Sequence, residues 1–348
     1  MKKLKFSLQL DTLTLSERDA RRYFSTVGLA TCIMMTVYFV SSVVLSAVLS
    51  NFAPGVLGNP WVNNLLSVVP LYGLAFPVFW LILSQLPRDS VQPETMGIAS
   101  WLGGLCICST LMMTGNYIGN AFILVFQNAL GYSLTNPVEA ATVGQSFWIN
   151  LIFVAILAPI LEELVFRKIL CDRLLPLGEG YTVVLSAAIF GLVHGNFFQF
   201  FYAFLLGAFF SMVYVKTGRI RYSILYHCLI NFLGGVLAPW ILERLEPLLE
   251  EETLTPILEM IGRGDYVGVS QALTGFELPL LLLMGYEAFM LIGAIVGIVL
   301  LIKQSKKIRL HGGLLPPPKE GRVANVLLNG GVAAALTVFA VIFVLSLL

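Results

Sequence analysis

Six polar side chains sit inside or against apolar runs, where an ordinary buried segment has none. In APILEELVFRKILCDRL, Glu162 and Glu163 follow 22 charge-free residues. A carboxylate in hydrocarbon is costly, so as a rule it faces a polar interior and has a function. Glu163 and Arg167 are four apart, share a helix face and can pair. Glu162 is turned about 100° away and is left free to point elsewhere. The plain alternative is that both acids only mark a helix leaving the membrane. In VVLSAAIFGLVHGNFF, Phe190 and His194 lie one turn apart, and Gly191 and Gly195 leave room for close helix approach. In RYSILYHCLINFLGG, His227 and Asn231 again share one face.

The chain has only three histidines. His311, beside KKIRL, reads as a surface residue. A lone membrane histidine is often just a hydrogen bonder between helices. Two of them, with paired glutamates and an asparagine on three helices, make that account less economical. Chemically, a glutamate and a histidine can activate water. A second histidine with an asparagine can offer donors to a developing oxyanion. That set is enough for peptide hydrolysis without a covalent intermediate. The same Glu162, His194 and His227 could instead bind zinc, since two histidines and a glutamate form a catalytic zinc set. HExxH is absent, and spacing does not choose between the two mechanisms.

The elements that must position these residues follow from charge. Of 348 residues, 57% are hydrophobic and 12% charged, and mean hydropathy is +0.86. A soluble domain carries roughly twice that charge, about 25%. No charge occurs between Arg22 and Arg88, Glu94 and Glu139, or Glu179 and Lys216, nor after Arg322. The fold class is therefore all-α, a polytopic membrane helix bundle of about eight or nine spans. Nine candidate segments lie near 24–50, 62–86, 99–125, 147–169, 181–196, 198–216, 222–242, 278–302 and 325–347. The fifth and sixth read as a tight helical hairpin.

With the amino terminus inside, 19 of 21 basic residues, Lys2 and Lys3 among them, fall on the inner side. Only Arg244 and Arg263 fall outside, and the carboxyl terminus lies outside. Residues 1–23 form a cytoplasmic segment and 24–348 a single membrane domain. Within it lie a catalytic core, 147–242, an outer acidic loop, 243–277, and an inner linker, 303–324. Residues 243–277 hold eight acids and two arginines, and read either as a plain acidic loop or as a surface-lying amphipathic piece. The location is a cell membrane, with the lipid bilayer as the partner and no nucleic acid. Five cysteines without a CxxC pair favour neither a disulfide scaffold nor a thiolate metal site.

EELVFR, FGLVH and HCLIN together resemble the three signatures of the CAAX protease and bacteriocin-processing family of membrane endopeptidases. Those are EExxxR, FxxxH, and His followed four residues later by Asn or Asp. The resemblance covers residues 155–235. It implies roughly eight helices around a polar cavity inside the bilayer. It implies Glu162 as water activator aided by His194, with His227 and Asn231 at the oxyanion. Glu163, Arg167 and Phe190 would support the geometry. The substrate would be a membrane-associated peptide or protein, possibly lipidated, and zinc remains a possible cofactor. A bacterial origin follows from this resemblance alone. Two other readings stand beside it: a catalytically idle immunity or scaffold relative, and a small-solute transporter. One geometric conflict also stands. Glu162 and His227 fall near the inner face, whereas His194 lies about 20 Å into its segment. The fifth segment must then begin below the surface, or be broken or tilted.

Overall fold

The computed structural model describes residues 3–6, 8, 9 and 13–348. Lys2 and the remaining positions of 1–23, residues 1, 7 and 10–12, lie outside the described residues. Among the described residues, nine apolar helices carry the fold. Seven are long and apolar enough to cross a membrane: α1 (Glu17–Phe52), α2 (Pro60–Leu83), α3 (Ile98–Leu130), α4 (Phe147–Leu177), α6 (Phe197–Thr217), α7 (Ile220–Leu249) and α8 (Glu277–Ser305). Two are shorter, α5 (Glu179–Val193) and α9 (Gly330–Leu345). Their outer faces are studded with exposed aliphatic side chains such as Ile292, Ile295 and Val299 on α8. With no water to bury them from, such faces suit lipid.

The central layer is α4, α5, α6 and α7. It lies between α1, α2 and α9 on one side and α3 and α8 on the other. The larger apolar core joins α1, α2, α9 and the second half of α4 around Phe24, Phe79 and Phe166. A second core joins α3, α6 and α7 around Cys108, Phe210 and Tyr226.

The fifth and sixth segments do form a hairpin, α5 and α6, turning at His194–Asn196. The two glycines singled out in it act differently. At Gly191 a Cβ would press on the Phe200 carbonyl and Phe204 of α6, so it permits close packing. Gly195 has φ +70°, which an L side chain resists, and it makes the turn itself. Asn196 caps α6, accepting from the Gln199 amide while donating to the His194 carbonyl.

The expectation that Glu162 sits near the inner face is corrected here. The helix carrying it does not stop near residue 169 but runs on to Leu177. Glu162 is thus near the middle of the helix and not at its end. Two π-helical stretches, Asn150–Leu157 and Leu164–Cys171, flank the acid pair. Residues 243–277 are also largely helical. α7 extends to Leu249, and Glu251–Arg263 and Tyr266–Ala272 follow as short helices. Ile241, Leu245, Leu248 and Ile257 bury one face of this segment. The outcome is amphipathic helix rather than plain loop.

Candidate active site

Three helix registers bring the site together. Glu162 lies 16 residues before Gly178, and His194 lies 16 residues after it. Gly178 sits in the turn between α4 and α5. Two antiparallel arms of equal length put their tips at nearly the same level. That removes the depth conflict without breaking α5, which is simply short, about 22 Å at 1.5 Å per residue. The segment between α2 and α3 levels α7 in the same way. The Asp89 amide donates to the Asp172 carbonyl and the Glu94 amide to the Thr217 carbonyl. Glu162 is ten residues from Asp172, and His227 ten from Thr217.

Glu162, His194, His227 and Asn231 consequently line one cavity of about 270 Å³. Phe190 lines it too, while Glu163 and Arg167 lie behind its floor. The two glutamates have different surroundings. Glu163 is fully buried and accepts from Nε and Nη2 of Arg167 at 3.0 and 3.1 Å. Its Oε1 also faces His227 Nδ1 at 3.1 Å. Arg167, equally buried, spends Nη1 on Ser186 Oγ at 3.0 Å, and Ser186 donates to the Phe166 carbonyl. The guanidinium lies 5.0 Å from the Phe190 ring centroid and 5.8 Å from that of Phe210. A two-pronged, ring-sandwiched pair of this kind is rigid. Glu162 keeps 18% of its side chain exposed. It accepts from the Tyr72 hydroxyl at 3.0 Å on one oxygen, and its other oxygen lies 3.8 Å from His227 Nε2.

The ring nitrogens can be assigned from their partners. His194 Nδ1 is 2.8 Å from the Phe190 carbonyl. A carbonyl only accepts, so Nδ1 carries the proton and Nε2 of the neutral ring keeps its lone pair. His227 Nδ1 faces a carboxylate that is already paired with Arg167, so it too is the donor. Phe190 orients both rings edge-on, at 5.0 Å from His194 and 5.6 Å from His227. Asn231 spends one N–H on the Val154 carbonyl at 3.0 Å and retains the other.

Tyr72, Ser186, Phe210 and Gln199 belong to the site or its support but are not singled out by the sequence. Tyr72 is 90 residues from Glu162, in a charge-free run of its own. Nothing local pairs the two. Among the described residues, no three His, Cys, Asp or Glu side chains converge as a metal-holding group. Glu162, His194 and His227 do not fit the zinc alternative as arranged.

Comparison with known proteins agrees with the segment that builds this site. Residues 144–233 match the family model for type II CAAX prenyl endopeptidase Rce1-like proteins. The membrane-embedded CAAX protease MroQ of Staphylococcus aureus is 30% identical over 131 residues, 33% of this chain and 53% of that protein. The putative membrane peptidase YdiL of Bacillus subtilis is 26% identical over 183 residues, 50% of this chain and 74% of that protein. Human CAAX prenyl protease 2 is 30% identical over 100 residues, 23% of this chain and 30% of that protein. The match to the first of these thus spans about half of its length. No solved structure matches. Through its central helices, this multi-pass membrane chain is similar to CAAX-type intramembrane endopeptidases.

Proposed function

We propose that this protein is an intramembrane endopeptidase that hydrolyses a peptide bond of a membrane-associated or lipidated peptide or protein. The observation that carries this reading is the pair of adjacent glutamates with different surroundings. Glu163 is locked to Arg167, and Glu162 is left partly exposed in a cavity shared with two histidines and an asparagine.

In the proposed reaction, a water in the cavity donates one hydrogen bond to Glu162 and one to the lone pair of His194 Nε2. As its oxygen attacks the scissile carbonyl, Glu162 takes the proton. The negative charge moves to the carbonyl oxygen. The free N–H of Asn231 and, in its protonated form, Nε2–H of His227 meet that charge. When the carbon–nitrogen bond breaks, Glu162 returns the proton to the leaving amine. One water is consumed, and a carboxylic acid and an amine are released. Tyr72 holds the carboxylate from the opposite side throughout. In this reading the site lies within the bilayer, the amino terminus is cytoplasmic, and substrates that are themselves membrane-bound reach it; the apolar helices that carry the cavity support it.

The test is cleavage of a lipid-anchored peptide by purified protein in liposomes, beside Glu162→Gln, each with and without a strong chelator. Cleavage that survives chelation and vanishes in the variant is expected. Loss on chelation with recovery on added zinc would replace the water-and-glutamate route by a metal route. A folded wild type that cleaves no peptide in a broad pool would favour the immunity or scaffold reading.

A further inference from the structure

On α2, α4 and α7 the cavity is lined only to one side of the catalytic level, with Phe190 of α5 and Leu206 and Phe210 of α6 completing its wall. On α2 its lining runs from Asn64 to Tyr72, on α4 from Phe153 to Glu162, and on α7 from His227 to Asn231. Each of these stretches lies between the catalytic level and the end of the molecule that carries the connecting segments 53–59, 131–146 and 250–276. No residue of 73–83, 164–177 or 220–226 lines it. Those halves of the same helices pack solidly. Phe79, Leu83, Phe166, Arg167, Ser223 and Tyr226 are each at most 1% exposed. Further along, buried Asp172 is bound by Arg88, Lys168 and Tyr214, which closes the bundle at the basic end.

A second chamber, of about 310 Å³, adjoins the first and shares Val154, Gln199, Tyr202 and Asn231 with it. Asn116 and Asn120 on the otherwise apolar α3, with Asn136 in the segment that follows it, give the chamber an amide-rich wall. It in turn shares Asn136, Val138, Gly234 and Ala238 with a groove of about 440 Å³. That groove reaches Glu139, Glu243 and Glu246 at the acid-rich end. Side-chain amides donate and accept, as a peptide main chain does, and such groups are costly in hydrocarbon unless they meet water or a polar partner.

We infer that the site is reached from the acid-rich end, away from the basic loops, through this amide-lined passage. The basic end is the cytoplasmic one by the lysine and arginine asymmetry. The substrate class is therefore a membrane-anchored peptide whose scissile bond lies in the non-cytoplasmic half of the bilayer or beyond it. The identity of the substrate as a peptide rests on the proposed function; the direction of access does not.

Two measurements separate these. Single substitutions Ser67→Cys, in the wall of the catalytic cavity, and Asn116→Cys, in the amide chamber, are compared with Lys307→Cys in the basic linker. Each is exposed in intact cells and in inverted vesicles to a membrane-impermeant maleimide, which needs an aqueous thiol. The expected result is labelling of both chamber positions several-fold above the wild-type background of five cysteines, from the face opposite to the one that labels Lys307→Cys. Labelling from the same face as Lys307→Cys, or from neither face, overturns the passage. The second measurement adds an impermeant lipid-anchored fluorogenic peptide to vesicles of each orientation. Cleavage confined to the face away from Lys307 supports the inference, and cleavage from the Lys307 face overturns it. Sided labelling with no cleavage on either face overturns the peptidase reading while leaving the passage in place.

Discussion

Glu162 and Glu163 are chemically identical and adjacent, so only their neighbours can divide their labour. The division was partly legible, because the i, i+4 spacing of Glu163 and Arg167 already pairs them and turns Glu162 away. What local spacing could not supply is the partner across the bundle. Tyr72 donates to Glu162 from α2, outside the family-matched segment, and holds one carboxylate oxygen while the other faces His227. Tyr72→Phe removes that hydroxyl with little change in volume. A hydrogen bond to a charged group is worth about 1.5–3 kcal/mol, and about 1.4 kcal/mol is tenfold in rate. On the proposed mechanism the expected result is a kcat lower by roughly 10- to 100-fold with KM nearly unchanged, because the hydroxyl would orient the proposed base rather than the substrate. A variant as fast as wild type would mean that Glu162 is held adequately without it. Ser186 is another long-range partner. It reads as one small polar residue in an apolar run, and only the packed guanidinium beside it explains why it is buried.

At the scale of elements, most of the membrane helices and the α5–α6 hairpin follow from charge gaps and apolar length. Their ends do not. Arg167, Lys168 and Arg173 suggest that α4 leaves the apolar layer near residue 169. Instead Arg167 is buried on Glu163, Lys168 reaches Asp172, and Arg173 Nε donates to the Leu83 carbonyl, so the helix continues. A charge in an apolar layer is costly unless it is paired, and these three are paired or hydrogen-bonded. The equal arms about Gly178 then carry a strict requirement on α5. Inserting one alanine between Thr182 and Val183 lifts everything beyond it by about 1.5 Å and turns it by about 100°. His194 would leave the cavity while the turn below stays intact. A misplacement near 1 Å can cost about 100-fold, so cleavage is expected to fall at least that far. Size-exclusion behaviour in detergent should match that of wild type. Retained activity would show that His194 is not needed at the level of Glu162.

The whole molecule is fastened at its basic end, and the fastening reaches across the sequence. The linker 303–324, which reads as a stiff connector, packs onto the α4–α5 turn. The Leu315 amide donates to the Pro176 carbonyl, and the Glu179 amide donates to the His311 carbonyl. The Glu179 carboxylate accepts from Lys216 and from the His311 amide, and Lys216 also donates to the Arg309 carbonyl. The early strand pair, Leu8–Gln9 with Thr14–Leu15, joins the same end, since the Leu15 amide donates to the Pro316 carbonyl. Glu179 thus ties α5, α6 and the linker together at the foot of the arms that level Glu162 with His194. Burial pushes its carboxyl up, but the bonds from Lys216 and His311 outweigh this and hold it below the ordinary glutamate value. A depressed carboxyl stabilises the fold above its unfolded pKa, about 4.3, and that contribution is lost as pH falls through the lower folded value. The thermal midpoint of wild type in detergent should therefore drop relative to Glu179→Gln as pH is taken from 6 down toward 3. The gap between the two should be widest at neutral pH and should close in acid. A gap independent of pH would mean that shape, rather than charge, makes the clamp, and Lys216→Met should then cost no stability either.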